Sequence, residues 1–99
     1  MLSVNISDID QKWCVHLQGE VDIYTVDKFK SALEEKMEIE QRDLIIDMSN
    51  LEYIDSTGLG ALINIRGKYN GLNIELKNLR SNVRRLFEIT GLTKIFVVI

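Results

Sequence analysis

Leu2, Val4 and Ile6 alternate with polar residues, and after the polar stretch from Ser7 to Gln11 the alternation resumes at Trp13, Val15 and Leu17. Period-two patterning on either side of a polar turn predicts that the chain opens with a β-hairpin. The spacing then changes. Val26, Phe29, Leu33 and Met37 fall three or four apart among charged residues. This is the stripe of an amphipathic helix from about Val26 to about Glu38, with Thr25 placed to cap it. Leu44, Ile45 and Ile46 run without a polar break between Asp43 and Asp47. A strand without alternation is usually covered on both faces, which predicts the central strand of a sheet.

Ser49 to Asp55 reads as a loop leading to a second helix, on which Leu59, Leu62, Ile63 and Arg66 share a face. The three apolar members of that face are assigned to the core, and Asn70-Gly71 supplies a left-handed stop. Leu72, Ile74 and Leu76 alternate as a further strand. Ser81 is placed to cap a third helix carrying Val83, Leu86, Phe87 and Thr90, and Gly91 followed by Leu92 fits that helix's end. Ile95 to Ile99 closes the sheet as an edge strand. This order of elements predicts an α/β fold with right-handed crossovers between mostly parallel strands. The chain has no proline, no internal repeat and no low-complexity segment, so residues 1–99 read as one domain without a linker.

Composition narrows the function classes. With 45% hydrophobic and 27% charged residues, the chain has the balance of a folded globular protein. The net charge of -3 comes from 15 acidic and 12 basic residues that are largely interleaved, which argues against nucleic acid as a partner. Cys14 is the one cysteine and has no internal partner, and the first residues lack the pattern of a secretory signal. No apolar run approaches the roughly 20 residues that cross a bilayer. The expectation is a cytoplasmic protein with no membrane partner.

Asp55-Ser56-Thr57-Gly58-Leu59-Gly60 falls between strand-like and helix-like segments. A helix start presents unpaired N–H groups and the positive end of the peptide dipole, so a hydroxyl there can become a phosphate with donors already waiting. The plain alternative is that one of the three polar side chains caps the helix, contributing about 1 kcal/mol. Three such residues stand in a row where one suffices. Gly58 and Gly60 each cost up to about 1 kcal/mol relative to alanine inside a helix, which points to a close approach to that backbone.

With Leu44 to Asp47 ahead of it, with Gly19-Glu20-Val21-Asp22 followed by Thr25, and with Arg85-Leu86-Phe87-Glu88-Ile89-Thr90-Gly91-Leu92 near the end, this segment resembles the anti-sigma factor antagonists of the STAS domain family. The resemblance spans essentially the whole chain. It implies a STAS-like mixed, mostly parallel five-stranded sheet with about three helices packed on it, forming a single STAS domain. It also implies a regulatory protein whose unphosphorylated form binds an anti-sigma factor that is itself a serine kinase, freeing a sigma factor. Phosphorylation ends that binding, and a metal-dependent phosphatase of the PP2C type reverses it. The phospho-acceptor implied is the hydroxyl directly after the motif's aspartate, Ser56, with Thr57 as the alternative. The implied partner-binding residues are Asp22, Asp55, Ser56, Thr57, Gly58, Leu59 and Gly60. No cofactor is implied.

Other readings compete with this one. The resemblance also implies an alternative, a STAS subunit of a lipid-transport ABC system that acts as a structural binding module and needs no phosphate. Glu20, Asp22, Asp47 and Asp55 form an acidic set that could be read as a metal pocket, although no histidine or cysteine joins them. Cys14 and His16 lie two apart and share one strand face, and read as ordinary face residues. Asp47, at a predicted strand end, resembles a receiver's phospho-aspartate, with Lys94 as the accompanying lysine, but the acidic pair after the first strand is missing. Arg84 and Arg85 read as solvated. Catalysis by this chain is not expected, because Ser56 has no basic neighbour and Gly58 and Gly60 lack a following lysine.

Overall fold

Asp10 and Gln11 both take positive φ, 53° and 63°, the two-residue turn whose twist matches a tight hairpin. They join β1 (Leu2–Ile9) to β2 (Lys12–Val21) in the computed structural model, which describes residues 1–99. The turn is therefore shorter than the polar stretch suggested, since Ser7, Asp8 and Ile9 continue the strand. After the hairpin come α1 (Val26–Ile39), β3 (Leu44–Ile54), α2 (Ser56–Lys68), β4 (Ile74–Lys77) and α3 (Ser81–Ile89). A short 3-10 turn (Leu92–Lys94) then leads to β5 (Val97–Val98).

The sheet runs in the order β1-β2-β3-β4-β5, with β1 antiparallel to β2 and every other neighbouring pair parallel. Val15, Leu17, Leu44, Ile46, Met48, Ile74 and Leu76 point into one apolar layer with Phe29 and Leu33 of α1, Leu62 of α2 and Phe87 of α3. Each such side chain contributes about 1.5–3 kcal/mol by leaving water. The alternate residues Cys14, His16, Ile45, Asp47, Glu75 and Lys77 are only half-buried on the opposite face. That face carries no helix. The central strand is thus covered on one side, and Ile45 is the apolar member of an otherwise largely polar row.

Several local expectations need correction. The segment Ser49 to Ile54 is strand rather than loop: β3 stays in parallel register with β2 as far as Val21↔Ile54, accommodating two irregularities on the way. Thr25 occupies the position before α1 but does not cap it. Its hydroxyl accepts from the Asp22 N–H at 3.0 Å and donates to the Glu20 carbonyl at 2.8 Å. Ser81 is the first residue of α3 rather than its cap. Neither Asn70 nor Gly71 has a positive φ. The end of α2 is closed instead by the Arg66 guanidinium, which donates to the carbonyls of Tyr69 and Leu72. Gly91 does turn left-handed, at φ 75°, as its position after α3 predicted. Ile63 is exposed, because Leu59, Leu62 and Ile65 already occupy the buried stripe of α2.

Candidate functional site

β2 and β3 run parallel and end together, and the Asp55 N–H donates to the Val21 carbonyl at 3.1 Å. The loops that follow therefore emerge side by side at the strands' C-terminal ends, Asp22 from one and Asp55 from the other. This is the juxtaposition on which a shared acidic patch depends. Asp22 is engaged locally through one carboxylate oxygen, its Oδ1 accepting from the N–H groups of Tyr24 and Thr25 at 2.9 and 3.0 Å. Asp55 is extended at the head of α2, and its Oδ1 accepts from the Gly58 N–H at 3.0 Å. The aspartate is the cap.

That assignment leaves both hydroxyls spare. Ser56 and Thr57 occupy the first turn of α2, both exposed, with no acidic residue in that turn. Neither side chain has a hydrogen-bond partner, and no acceptor meets their N–H groups. A neutral oxygen therefore sits where unpaired donors and the helix dipole favour negative charge.

The two glycines behind these hydroxyls differ. A Cβ on Gly58 would lie 2.6 Å from Ile54 Cγ1 and 2.8 Å from Val21 Cγ1. The close approach at this position is internal, where the first turn of α2 crosses the strand ends. Around Gly60 there is open space.

Residues 3–99 match the model of the STAS domain family. The chain belongs to that family. The anti-sigma-B factor antagonist of Staphylococcus aureus is 34% identical over 93 residues, covering 92% of this chain and 86% of its own. An anti-sigma factor antagonist from Mycobacterium paratuberculosis superposes with a TM-score of 0.84 at 26% identity, covering 99% of this chain and 85% of that one. SpoIIAA, a Bacillus cell fate determinant solved in its phosphorylated form, shares the fold with a TM-score of 0.72 at 18% identity, covering 98% and 91% of the two chains.

Within this STAS domain the competing sites do not assemble. Asp47 lies seven residues before Ile54 on β3, so at about 3.3 Å per residue it is roughly 20 Å from the strand's end and from Asp55. No three histidine, cysteine, aspartate or glutamate side chains gather around a common point. Because β3 continues beyond it, Asp47 is not at a strand mouth and does not occupy a receiver's acceptor position. It stands on the open face, where the Ser49 N–H donates to it at 2.9 Å and His16 Nδ1 lies 3.5 Å away. Burial alone pushes the Asp47 carboxyl up, but the Ser49 and Asn78 hydrogen bonds and the charge of His16 outweigh it and hold the group below its ordinary value. Cys14 shares this face with His16, which is occupied by Asp47 and by Asn50 at 3.0 Å. Arg85 is exposed and Arg84 half-buried.

Sequence reasoning missed an apolar margin beside the hydroxyls. Ile23 and Tyr24, in the loop after β2, are 66% and 91% exposed, and Tyr53, two residues before Asp55, is 49% exposed. The signal was present: Ile23-Tyr24 belongs to neither the strand alternation before it nor the helical stripe after it.

Proposed function

We propose that this STAS domain is a cytoplasmic anti-sigma factor antagonist, switched by phosphorylation of Ser56, with Thr57 as the alternative acceptor. Its unphosphorylated form binds an anti-sigma factor that is also a serine kinase, through Asp22, Asp55, Ser56, Thr57, Gly58, Leu59 and Gly60, and thereby frees a sigma factor. Gly58 and Leu59 are buried, so they act by shaping the helix start that the partner meets. A phosphatase of the PP2C type restores the binding form. The protein is acted upon and catalyses nothing itself.

The single observation that carries this reading is the spare, exposed hydroxyl of Ser56, directly after a cap already satisfied by Asp55. A phosphate there adds a charge of about -1.5 to -2 without displacing any bond that holds the fold. Asp22 and Asp55 stand beside it, so the added charge enlarges an acidic surface and repels a partner that had docked against a neutral oxygen. The exposed Ile23, Tyr24 and Tyr53 supply apolar contact area around that point. The anti-sigma-B factor antagonist relatives support the partner class.

The test is incubation with the cognate kinase and ATP, followed by intact-mass measurement. The native chain gains one phosphate and Ser56→Ala gains none. In a binding titration, Ser56→Glu loses at least about tenfold in affinity, equivalent to about 1.4 kcal/mol, while its melting temperature stays near that of the native chain. Labelling of Ser56→Ala that persists in the Ser56→Ala, Thr57→Ala double variant overturns the assignment.

A further inference from the structure

We propose that two copies of this chain associate edge to edge through β1, antiparallel about a two-fold axis at Asn5, joining their sheets into one. β1 lies at the edge of the sheet, and its eight residues pair only with β2, in unbroken register. The Met1 carbonyl accepts from the Glu20 N–H. Main-chain groups alternate sides along an antiparallel strand, so the odd-numbered residues of β1 face β2 and the N–H and C=O groups of Leu2, Val4, Ile6 and Asp8 point outward. No hydrogen bond within the chain reaches those outward groups.

Nowhere else does the sheet leave such an edge. β5 is two residues long. The part of β3 beyond the reach of β4 is met by Arg80 Nε, donating to the Ser49 carbonyl at 3.0 Å, and by Asn82 Nδ2, donating to the Glu52 carbonyl at 2.8 Å. Exposed edges are ordinarily protected from self-pairing by lysine, proline or a bulge. β1 has none of these. Its single charge, Asp8, is held by Arg42 at 2.7 Å.

The strand is also complementary to itself. Antiparallel pairing about Asn5 sets Val4 opposite Ile6 of the second copy, Leu2 opposite Asp8, Ser3 opposite Ser7, and Asn5 opposite Asn5. No like charges meet, and the outward groups satisfy one another in about eight hydrogen bonds. Val4 and Ile6, half-buried at the margin of the core, gain a covering neighbour, while Ser3, Asn5 and Ser7 extend the polar face. A two-fold pairing closes on itself and gives a dimer rather than a fibre. An unrelated strand has no reason to match this register, so the occupant argued for is a second copy. Ser56 lies beyond the C-terminal end of β3, two strands in from this edge, and takes no part in the pairing, so dimer formation and the proposed function are tested independently.

The experiment is sedimentation equilibrium of the full chain up to about 1 mM, with folding checked by circular dichroism. The native chain's mass rises toward twice the monomer value with concentration. Val4→Pro keeps the β2 ladder, because its N–H points outward, and stays monomeric. Asn5→Asp and Asn5→Lys, substitutions on an exposed position, each raise the dissociation constant at least about tenfold, and mixing the two variants restores association. If Val4→Pro fails to fold, the Asn5 pair decides alone. A native chain that remains monomeric throughout, or a dimer indifferent to both Asn5 substitutions, overturns the proposal, as does association only with foreign strands.

Discussion

Gly58 and Gly60 stand two apart at the start of α2, and the fold gives them opposite duties. At Gly58 a methyl group has no room against Ile54 and Val21. Gly58→Ala is therefore expected to destabilise the protein by about 1–3 kcal/mol despite alanine's better helix propensity. At Gly60 a methyl group enters open space, so Gly60→Ala is expected to gain up to about 1 kcal/mol. Denaturant midpoints of the two variants should move in opposite directions. Spacing alone treats the two glycines alike, because a clash depends on which strand ends lie beneath the helix. The same limit applies to the three polar residues in a row: each is a capping type, and the extended backbone at Asp55, with its bond to the Gly58 N–H, singles out one of them.

The helix start is an element with a single side-chain cap, and its removal should be felt directly. Asp55→Ala is expected to cost about 1 kcal/mol, lowering the melting temperature by about 4–8 °C, while Asp55→Asn recovers most of the loss. Calorimetry of the two variants checks this. The existence and order of the elements were legible from the chain, because the periodicities of β1, β2 and α1 were undisturbed. Their ends were less so. Ser49 to Ile54 resembles a loop because Ser49, Asn50 and Glu52 are polar. Yet the segment is held as strand by β2 on one side and by the side chains of Arg80 and Asn82 on the other. Partners thirty residues downstream leave no mark on local pattern. Asp22 and Thr25 show the same effect, since a residue suited to capping α1 is used to fasten the turn that precedes it.

Across the whole molecule the sheet divides a helix-covered face from an open polar one, and the open face couples stability to acidity through Asp47. Its carboxyl sits below the ordinary range in the folded state, so its contribution is present above the unfolded value of about 3.9 and is lost as pH falls through the folded one. Asp47→Asn should accordingly lower stability near neutral pH, and the gap to the native chain should close as pH falls below about 4, followed by urea titration at each pH. A gap that persists at pH 2 would assign the loss to packing instead. The alternation of apolar and polar residues determined by itself that the chain forms a mostly parallel α/β sheet with amphipathic helices, because burying apolar stripes dictates period and order wherever the chain folds. The motif around Asp55 likewise marked the helix start. Only the tertiary structure decided which side chain caps α2, which hydroxyls remain spare, which glycine is required, which face stays open and which edge stays unpaired. The glycine, the face and the edge depend on contacts between residues far apart in the chain, and the cap on the extended backbone at Asp55, which is tied through its N–H to Val21; the local pattern carries no record of such contacts.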